Sequence, residues 1–161
     1  MAIEIFFETP VPAAVKRAAP LFKRAVRSAI GARLSRGQRR RPATGQCHSK
    51  RAVCLIFTGG SGIKKLNKKF LGRNRVTDVI AFNYPAPGGF KAPPVLGDIY
   101  VCLAQADRQA KALGHSILTE LLILSTHGAL HLAGMDDATP ALRRRMNLKT
   151  AAILKNLARK I

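Results

Sequence analysis

The stretch that organises this chain lies at residues 117–137 and reads I-L-T-E-L-L-I-L-S-T-H-G-A-L-H-L-A-G-M-D-D. It is mostly apolar, and it carries His127 and His131 four positions apart. Side chains at positions i and i+4 of a helix project from the same face, so both imidazoles can reach one point. Gly134 follows, and glycine readily takes the conformation that ends a helix and turns the chain back. The stretch therefore predicts an apolar helix with two histidines near its end.

The carboxylates after the glycine supply a third candidate ligand for a metal ion. Asp137 lies six positions beyond His131, past the turn. Three protein ligands and one open position are typical of a catalytic zinc site rather than a structural one. A single histidine on an apolar helix face is more often a core residue with one hydrogen bond, but this pair with a third candidate favours a metal. The sequence predicts a site for Zn²⁺, or another divalent metal, at His127, His131 and Asp137.

The residue beside the first histidine argues against one class of zinc enzyme. The spacing H-x-x-x-H-x-x-G-x-x-D is that of the metzincin proteases, except that their last ligand is histidine. Zinc proteases carry a glutamate directly after the first histidine, where it acts as general base. This chain has Gly128 at that position. The sequence therefore disfavours a protease.

Glu120 is a further catalytic candidate in the same stretch. It lies seven residues, or two helical turns, before His127 and so falls on the face of both histidines. There it could accept a hydrogen bond from a ligand imidazole or act as a base on metal-activated water. The alternative is a partly buried carboxylate paired with a cation. The sequence weighs the two interpretations equally.

The charge of the chain points to a polyanionic partner. Lysine and arginine total 28 of the 161 residues against 8 aspartates and glutamates, a formal charge of +20. Such an excess attracts nucleic acid or an anionic membrane. The most apolar stretch, residues 117–132, is too short and too polar to span a bilayer. Three cysteines without C-x-x-C spacing favour a reducing compartment, so we expect a cytoplasmic protein with no membrane association.

The hydrophobic periodicity predicts one α+β domain over residues 1–161, with a four-stranded mixed sheet covered by helices. The predicted order is β-α-β-α-β-β-α-α-α. Pro20 either kinks the first helix or begins a second one, and Ser61 is a possible cap of the short helix after the second strand. A basic segment at about 35–50 is expected to be a mobile linker. The strands are expected at 3–7, 53–58, 79–84 and 96–102, the last two as an antiparallel pair, and the helices at about 15–30, 63–70, 104–113, 116–133 and from 139–140 onward.

Three segments in fixed order resemble one known family. Residues 127–137 resemble H-G-x-L-H-L-x-G-Y-D-H, residues 66–82 resemble L-N-x-x-Y-R-G-x-x-x-P-T-D-V-L-S-F, and residues 96–99 match L-G-D-I. Glu120 matches a glutamate upstream of the first histidine. These are motifs of the YbeY family of bacterial metal-dependent endoribonucleases, which act in ribosomal RNA maturation. The resemblance implies the same fold, an RNA partner and a zinc site at His127, His131 and Asp137.

Two positions depart from the family pattern. Asp137 stands where the family has a third histidine, which lowers the net charge of a zinc centre from +2 to +1 and makes it less selective for zinc. An alternative is that Asp136 or Asp137 caps the next helix and the metal is weakly held or absent. Leu71 stands where the family has an arginine that serves the active site. Leucine cannot contact phosphate, although Arg73 and Arg75 are near in sequence.

These features lead to one main hypothesis and two alternatives. The first is a metal-dependent endoribonuclease that acts on single-stranded RNA in late 30S and 16S rRNA 3′-end maturation and in ribosome quality control. The second is a ribosome- or rRNA-binding factor of the same fold with reduced or lost nuclease activity, and the third is a metal-dependent hydrolase of another substrate. We expect shape and charge, more than base stacking, to dominate RNA recognition. The cations expected to hold the RNA backbone are Arg39, Arg40, Arg41, Arg73, Arg75, Arg143, Arg144 and Arg145.

Overall fold

The computed structural model describes residues 1–34, 52–84 and 95–159, and within them the chain forms four strands and six helices. The predicted order of elements is confirmed, with the first helix divided into two. The segment expected to be a linker at 35–50 lies outside the described residues, as do Arg39, Arg40 and Arg41. The elements are β1 (Ala2–Phe7), α1 (Ala13–Arg17), α2 (Ala19–Leu34), β2 (Ala52–Thr58), α3 (Gly60–Leu71), β3 (Val79–Asn83), β4 (Val95–Cys102), α4 (Leu103–Leu113), α5 (Ile117–Leu132) and α6 (Pro140–Ala158).

The four strands form one mixed sheet in the order β1-β2-β4-β3. β1 pairs with β2 and β2 with β4 in parallel, whereas β3 and β4 are antiparallel, with Val79 opposite Val101. The expected antiparallel pair and the α+β class are therefore confirmed. β3 lies at one edge of this sheet, and α5 packs against both β3 and β4. The C-terminal part of α5 is thereby held beside the sheet edge.

Helix α5 is the central helix of the fold. It contacts α2, α4 and α6 as well as the sheet. Its residues Leu121, Leu124 and Leu130 are buried in the main core, together with Phe22 of α2 and Phe57 of β2. A helix that is apolar on nearly all sides is stable only when it is enclosed in this way. None of the described helices is both long and apolar enough to span a membrane.

Two predictions about helix starts have different outcomes. α2 begins at Ala19, so Pro20 lies in its first turn, where the missing N–H would have no helical partner anyway. This confirms that Pro20 begins a second helix. The prediction that Ser61 caps α3 is wrong, because α3 already begins at Gly60 and its N-cap is Gly59, with no side-chain cap.

Gly128 lets α5 approach the sheet closely. A Cβ atom at this position would lie 2.6 Å from Ile99 Cγ2 and 3.2 Å from Val79 Cγ2. Both distances are shorter than an ordinary van der Waals contact, and the neighbours are branched side chains on strands. The sheet therefore leaves no room for a side chain at this position.

We expect Gly128→Ala to lower the free energy of unfolding by about 1–3 kcal/mol, because helix and sheet must move apart to admit the methyl group. The control is Gly31→Ala on the exposed side of α2, where an added Cβ has nothing within 4 Å. Alanine there should raise stability by roughly 0.5–1 kcal/mol. Urea denaturation followed by circular dichroism measures both changes. Equal unfolding midpoints for the two variants would show that α5 and the sheet can accommodate a methyl group at position 128 without loss of stability.

Candidate metal centre

Three side chains converge at the end of α5. His127 Nε2 and His131 Nε2 lie 3.2 Å apart. Asp137 places Oδ2 3.6 Å from His127 Nε2 and Oδ1 3.8 Å from His131 Nε2. One donor atom from each residue lies within 4.8 Å of the others. In a tetrahedral zinc site with metal–ligand bonds of about 2.0–2.1 Å, neighbouring donors are separated by roughly 3.3 Å. The three donors therefore fit a single divalent metal ion.

The turn after α5 brings Asp137 back to the histidines. Gly134 has a φ of 80°, in the left-handed region, as predicted for the residue that ends this helix. Its N–H donates to the carbonyl of His131 at 2.7 Å, and Met135 N–H donates to the carbonyl of Leu130 at 2.9 Å. These bonds reverse the chain over the last turn of the helix. The carboxylate that follows is thereby directed to the imidazole pair.

A hydrogen bond to the same turn orients His131. Its Nδ1 lies 3.1 Å from the carbonyl oxygen of Met135. Because a carbonyl only accepts, Nδ1 carries the hydrogen and Nε2 presents its lone pair toward His127 and Asp137. An outer carbonyl that fixes the tautomer in this way is typical of metal-ligating histidines. The turn therefore both supplies the third candidate ligand and orients the second.

The capping alternative for the two aspartates is resolved by their hydrogen bonds. Asp136 Oδ1 accepts from the backbone N–H groups of Asp137 and Ala138, at 2.8 and 3.2 Å. The N-cap of α6 is Thr139, whose hydroxyl oxygen accepts from the N–H of Leu142 at 3.2 Å. The carboxylate of Asp137 takes part neither in the turn closed by Asp136 nor in the cap of α6 formed by Thr139. That side chain is left facing His127 and His131.

The surroundings of His127 favour its neutral form. Burial, and then the neighbouring His131, lower the pKa of His127, and Asp137 and Asp78 oppose part of this shift. A metal can only bind an imidazole that has lost its ring proton at the ligating nitrogen. Less competition from protons therefore favours metal binding at this group near neutral pH.

Glu120 lies elsewhere on the helix surface. Its carboxylate is buried, and Oε2 lies 3.1 Å from Nε2 of His115, at the loop before α5. Burial raises the pKa of Glu120, His115 opposes this rise and Asp78 adds to it. In the structure, Glu120 lies beside His115 and apart from His127, His131 and Asp137. This geometry matches the alternative of a partly buried carboxylate paired with a cation. Its catalytic role stays a prediction.

The three converging side chains lie in an open cleft of about 740 Å³. The cleft runs beside edge strand β3 and is bounded by the ends of α3, α5 and α6. Leu71 is 49% exposed in it, so the family's arginine position does face this space. Arg144 and Arg145 lie on the exposed surface of α6 and outside the cleft lining. The cations that line the cleft are Arg73, Arg75 and Arg143.

Two lining residues were not singled out from the sequence. Asp78 accepts from Val79 N–H at 2.8 Å and from Gln109 Nε2 at 3.0 Å, which ties the cleft to α4. Asn67 is buried and donates from Nδ2 to the carbonyl of Arg75 at 2.8 Å. That bond holds the loop that carries two of the arginines. A polar residue on the buried face of an amphipathic helix was the available signal for Asn67.

The comparisons with known proteins identify the family of this chain. The sequence model of the family described as Endoribonuclease YbeY matches residues 23–158. The chain belongs to the YbeY family. It is 42% identical over 156 residues to Endoribonuclease YbeY of Elusimicrobium minutum, covering 96% of this chain and 98% of that one. It is 41% identical over 86 residues to the protein of the same name from Thermus thermophilus, covering 53% of this chain and 62% of that one.

A solved structure is also similar. The solution structure of a Thermotoga maritima protein superposes with a TM-score of 0.60, covering 96% of this chain and 88% of that one. Its sequence is 24% identical, so the likeness speaks to the fold. The resemblance stated from the sequence motifs is thus confirmed at the level of family and fold.

We expect Asp137→Asn to weaken zinc binding by roughly tenfold or more, because an amide oxygen is a poorer zinc ligand than a carboxylate. Asp136→Asn is the matched control, since it makes the same change one residue earlier on a group that bonds only its own turn. Zinc titration against a competing chromophoric chelator measures both affinities. If the two variants bind zinc equally, Asp137 is not a ligand.

Proposed function

We propose that this chain is a metal-dependent endoribonuclease that cuts single-stranded RNA during ribosomal RNA maturation. The observation that carries the proposal is the placement of His127, His131 and Asp137 in a cleft that is also lined by three arginines. Membership of the YbeY family and the name of its relatives support RNA as the substrate. We further propose a cytoplasmic protein that acts on the 3′ end of 16S rRNA in late 30S particles and in ribosome quality control.

The protein's own groups have separable tasks in this proposal. His127, His131 and Asp137 would hold the metal, most simply Zn²⁺, which when bound supplies Lewis-acid polarisation and activation of water against a phosphodiester. Arg73 and Arg75 come from the loop before β3, and Arg143 comes from α6. Arginine forks pair with phosphate oxygens from fixed directions, so cations on two separate elements can hold a backbone across the three ligands.

Asp137 and Arg143 are also connected directly. Arg143 Nη2 donates to the backbone carbonyl of Asp137 at 3.4 Å. Its guanidinium has further donors for a phosphate, because one bond uses one of five N–H groups. Glu120 is kept as a candidate catalytic residue, and its pair with His115 is the alternative role. Its helical spacing from His127 is the basis for a role as a base on water, and Glu120→Gln in the cleavage assay below tests that role.

A second candidate function rests on Leu71. This exposed leucine lines the cleft at the position where the family has arginine, so one cation that could stabilise developing charge is missing. A ribosome- or rRNA-binding factor would still bind RNA through Arg73, Arg75 and Arg143, but it would cleave RNA slowly or not at all. A hydrolase of another substrate is a weaker third candidate, because it would explain the ligands and not the formal charge of +20.

We expect His131→Ala to abolish RNA cleavage while leaving RNA binding nearly unchanged. The substitution removes one of three metal ligands, whereas the electrostatic attraction comes from the arginines. Timed cleavage of a labelled single-stranded RNA in zinc, beside a binding measurement, separates the two effects, with Asp136→Asn as control. If the unsubstituted protein binds RNA but does not cleave it in the presence of metal, the result would favour the binding factor over the nuclease. A purified protein that retains no metal and gains none from zinc would overturn the site itself.

We expect Leu71→Arg to raise the cleavage rate by about tenfold or more and to steepen the salt dependence of RNA binding by roughly 0.7 in log–log slope, because it adds one phosphate contact in the cleft. Leu113→Arg is the matched control. Leu113 is 67% exposed at the end of α4, outside the cleft lining, and gains the same charge. Equal responses of the two variants would show that net charge alone, and not the position, is responsible.

A further inference from the structure

An exposed aromatic ring lies at the end of α3, next to the cleft. Phe70 is 55% exposed, and the next residue, Leu71, lines the cleft. The ring is held from behind by Phe82 of β3, with centroids 5.0 Å apart and planes at 62°. Phe82 in turn packs edge-to-face on Tyr100, at 5.9 Å. Phe70 is therefore an exposed ring packed against one half-buried aromatic neighbour, Phe82, which is itself supported by Tyr100.

The ring lies beside the cleft, near the edge of the sheet, although it is not part of the cleft lining. Val79, Ile80 and Ala81 line the cleft, and the following residue on the same strand, Phe82, supports Phe70. Val79 and Ala81 face α5, whereas Ile80 and Phe82 face α3 on the other side of the sheet. Because β3 is an edge strand, a single strand of nucleic acid bound in the cleft can reach this ring by crossing the β3 edge. A duplex offers no free base face there, because its bases are already paired and stacked.

The charge around the ring matches a nucleotide. Lys69 Nζ lies 5.2 Å from the centroid of the Phe70 ring. Helix α3 carries three more lysines, and among the described residues none of the four forms an ion pair. Lys69 lies over this ring, so a base that stacks there would displace the ammonium toward the phosphate of the same nucleotide. Proteins bind single strands by this combination of aromatic stacking and a nearby cation. The three lysines are Lys64, Lys65 and Lys68.

We propose that Phe70 and Lys69 form a nucleotide subsite in which a base of single-stranded RNA stacks on the ring while the ammonium contacts its phosphate. This subsite rests on the proposed function of the cleft, and it would explain a preference of the cleft for single-stranded RNA. It also assigns to stacking a larger share of recognition than the aromatic content of the chain suggests.

Fluorescence offers a direct test, because the chain contains no tryptophan. Phe70→Trp introduces a single reporter, and titration with a twelve-nucleotide oligouridylate should quench its emission to saturation as a base stacks on the indole. A duplex of the same length should not quench it. Phe6→Trp is the matched control, at a residue 46% exposed on β1, distant from β3 in the sheet order, and should not respond to either RNA. The RNA is checked for integrity after each titration.

Binding of a labelled oligouridylate, measured by fluorescence anisotropy, tests the energetic side. Phe70→Leu keeps an apolar contact for Phe82 and removes the stacking face, so we expect binding to weaken by about 5- to 150-fold. Phe70→Tyr keeps the ring and should bind as the unsubstituted protein does, and Phe6→Leu should have no effect. This pattern distinguishes stacking from a purely structural role of the ring.

The outcomes separate this subsite from the nuclease proposal. Oligouridylate that binds without quenching the Phe70→Trp protein, or that binds Phe70→Leu with undiminished affinity, overturns the subsite and leaves the nuclease proposal intact. Quenching and ring-dependent binding in a protein that cleaves no RNA support the subsite and overturn the nuclease. An unsubstituted protein that binds no single-stranded RNA overturns both.

Discussion

The close contact between α5 and the sheet at Gly128 is the constraint on which the candidate site depends. With no side chain there, the helix rests on Ile99 and Val79, and the flanking residues are fixed in rotation about the helix axis. His127 and His131 are then directed away from the core toward the edge of the sheet, where one turn of chain returns Asp137 to them. A side chain at 128 would move both imidazoles together. Gly128, which argues against a protease, thus also determines the orientation of His127 and His131.

Much of this arrangement could be predicted from the sequence because it depends on local periodicity. The bounds of α5 and the two antiparallel strands follow from apolar spacing and from turn residues, and the structure confirms them within one or two positions. The convergence of His127 and His131 follows from helix geometry alone. The return of Asp137 was also local, since it required only the left-handed conformation of Gly134. Family motifs added the substrate class, which spacing could not supply.

What the sequence could not provide are contacts made across the fold. Asn67 reaches a backbone carbonyl eight residues away, and Asp78 reaches Gln109 on another helix, so neither partner is visible in a local pattern. Glu120 shows how a contact outside the helix adds to a local argument. Its spacing places it on the histidine face, but burial and His115 determine where its carboxylate actually lies. A two-turn separation is long enough for a different neighbour to take the side chain.

The two departures from the family pattern affect different properties. Asp137 would still provide a metal ligand but would lower the net charge of the metal centre, whereas Leu71 leaves the cleft without the arginine that the family has at this position. Neither touches Arg73, Arg75 or Arg143, and the chain as a whole is strongly cationic. Attraction of RNA is a long-range property of the summed charge, while acceleration of cleavage depends on groups within a few ångströms of the phosphodiester. Under the proposed function, therefore, RNA binding is the property less affected by the two departures, and the rate of cleavage is the one that positions 71 and 137 would change.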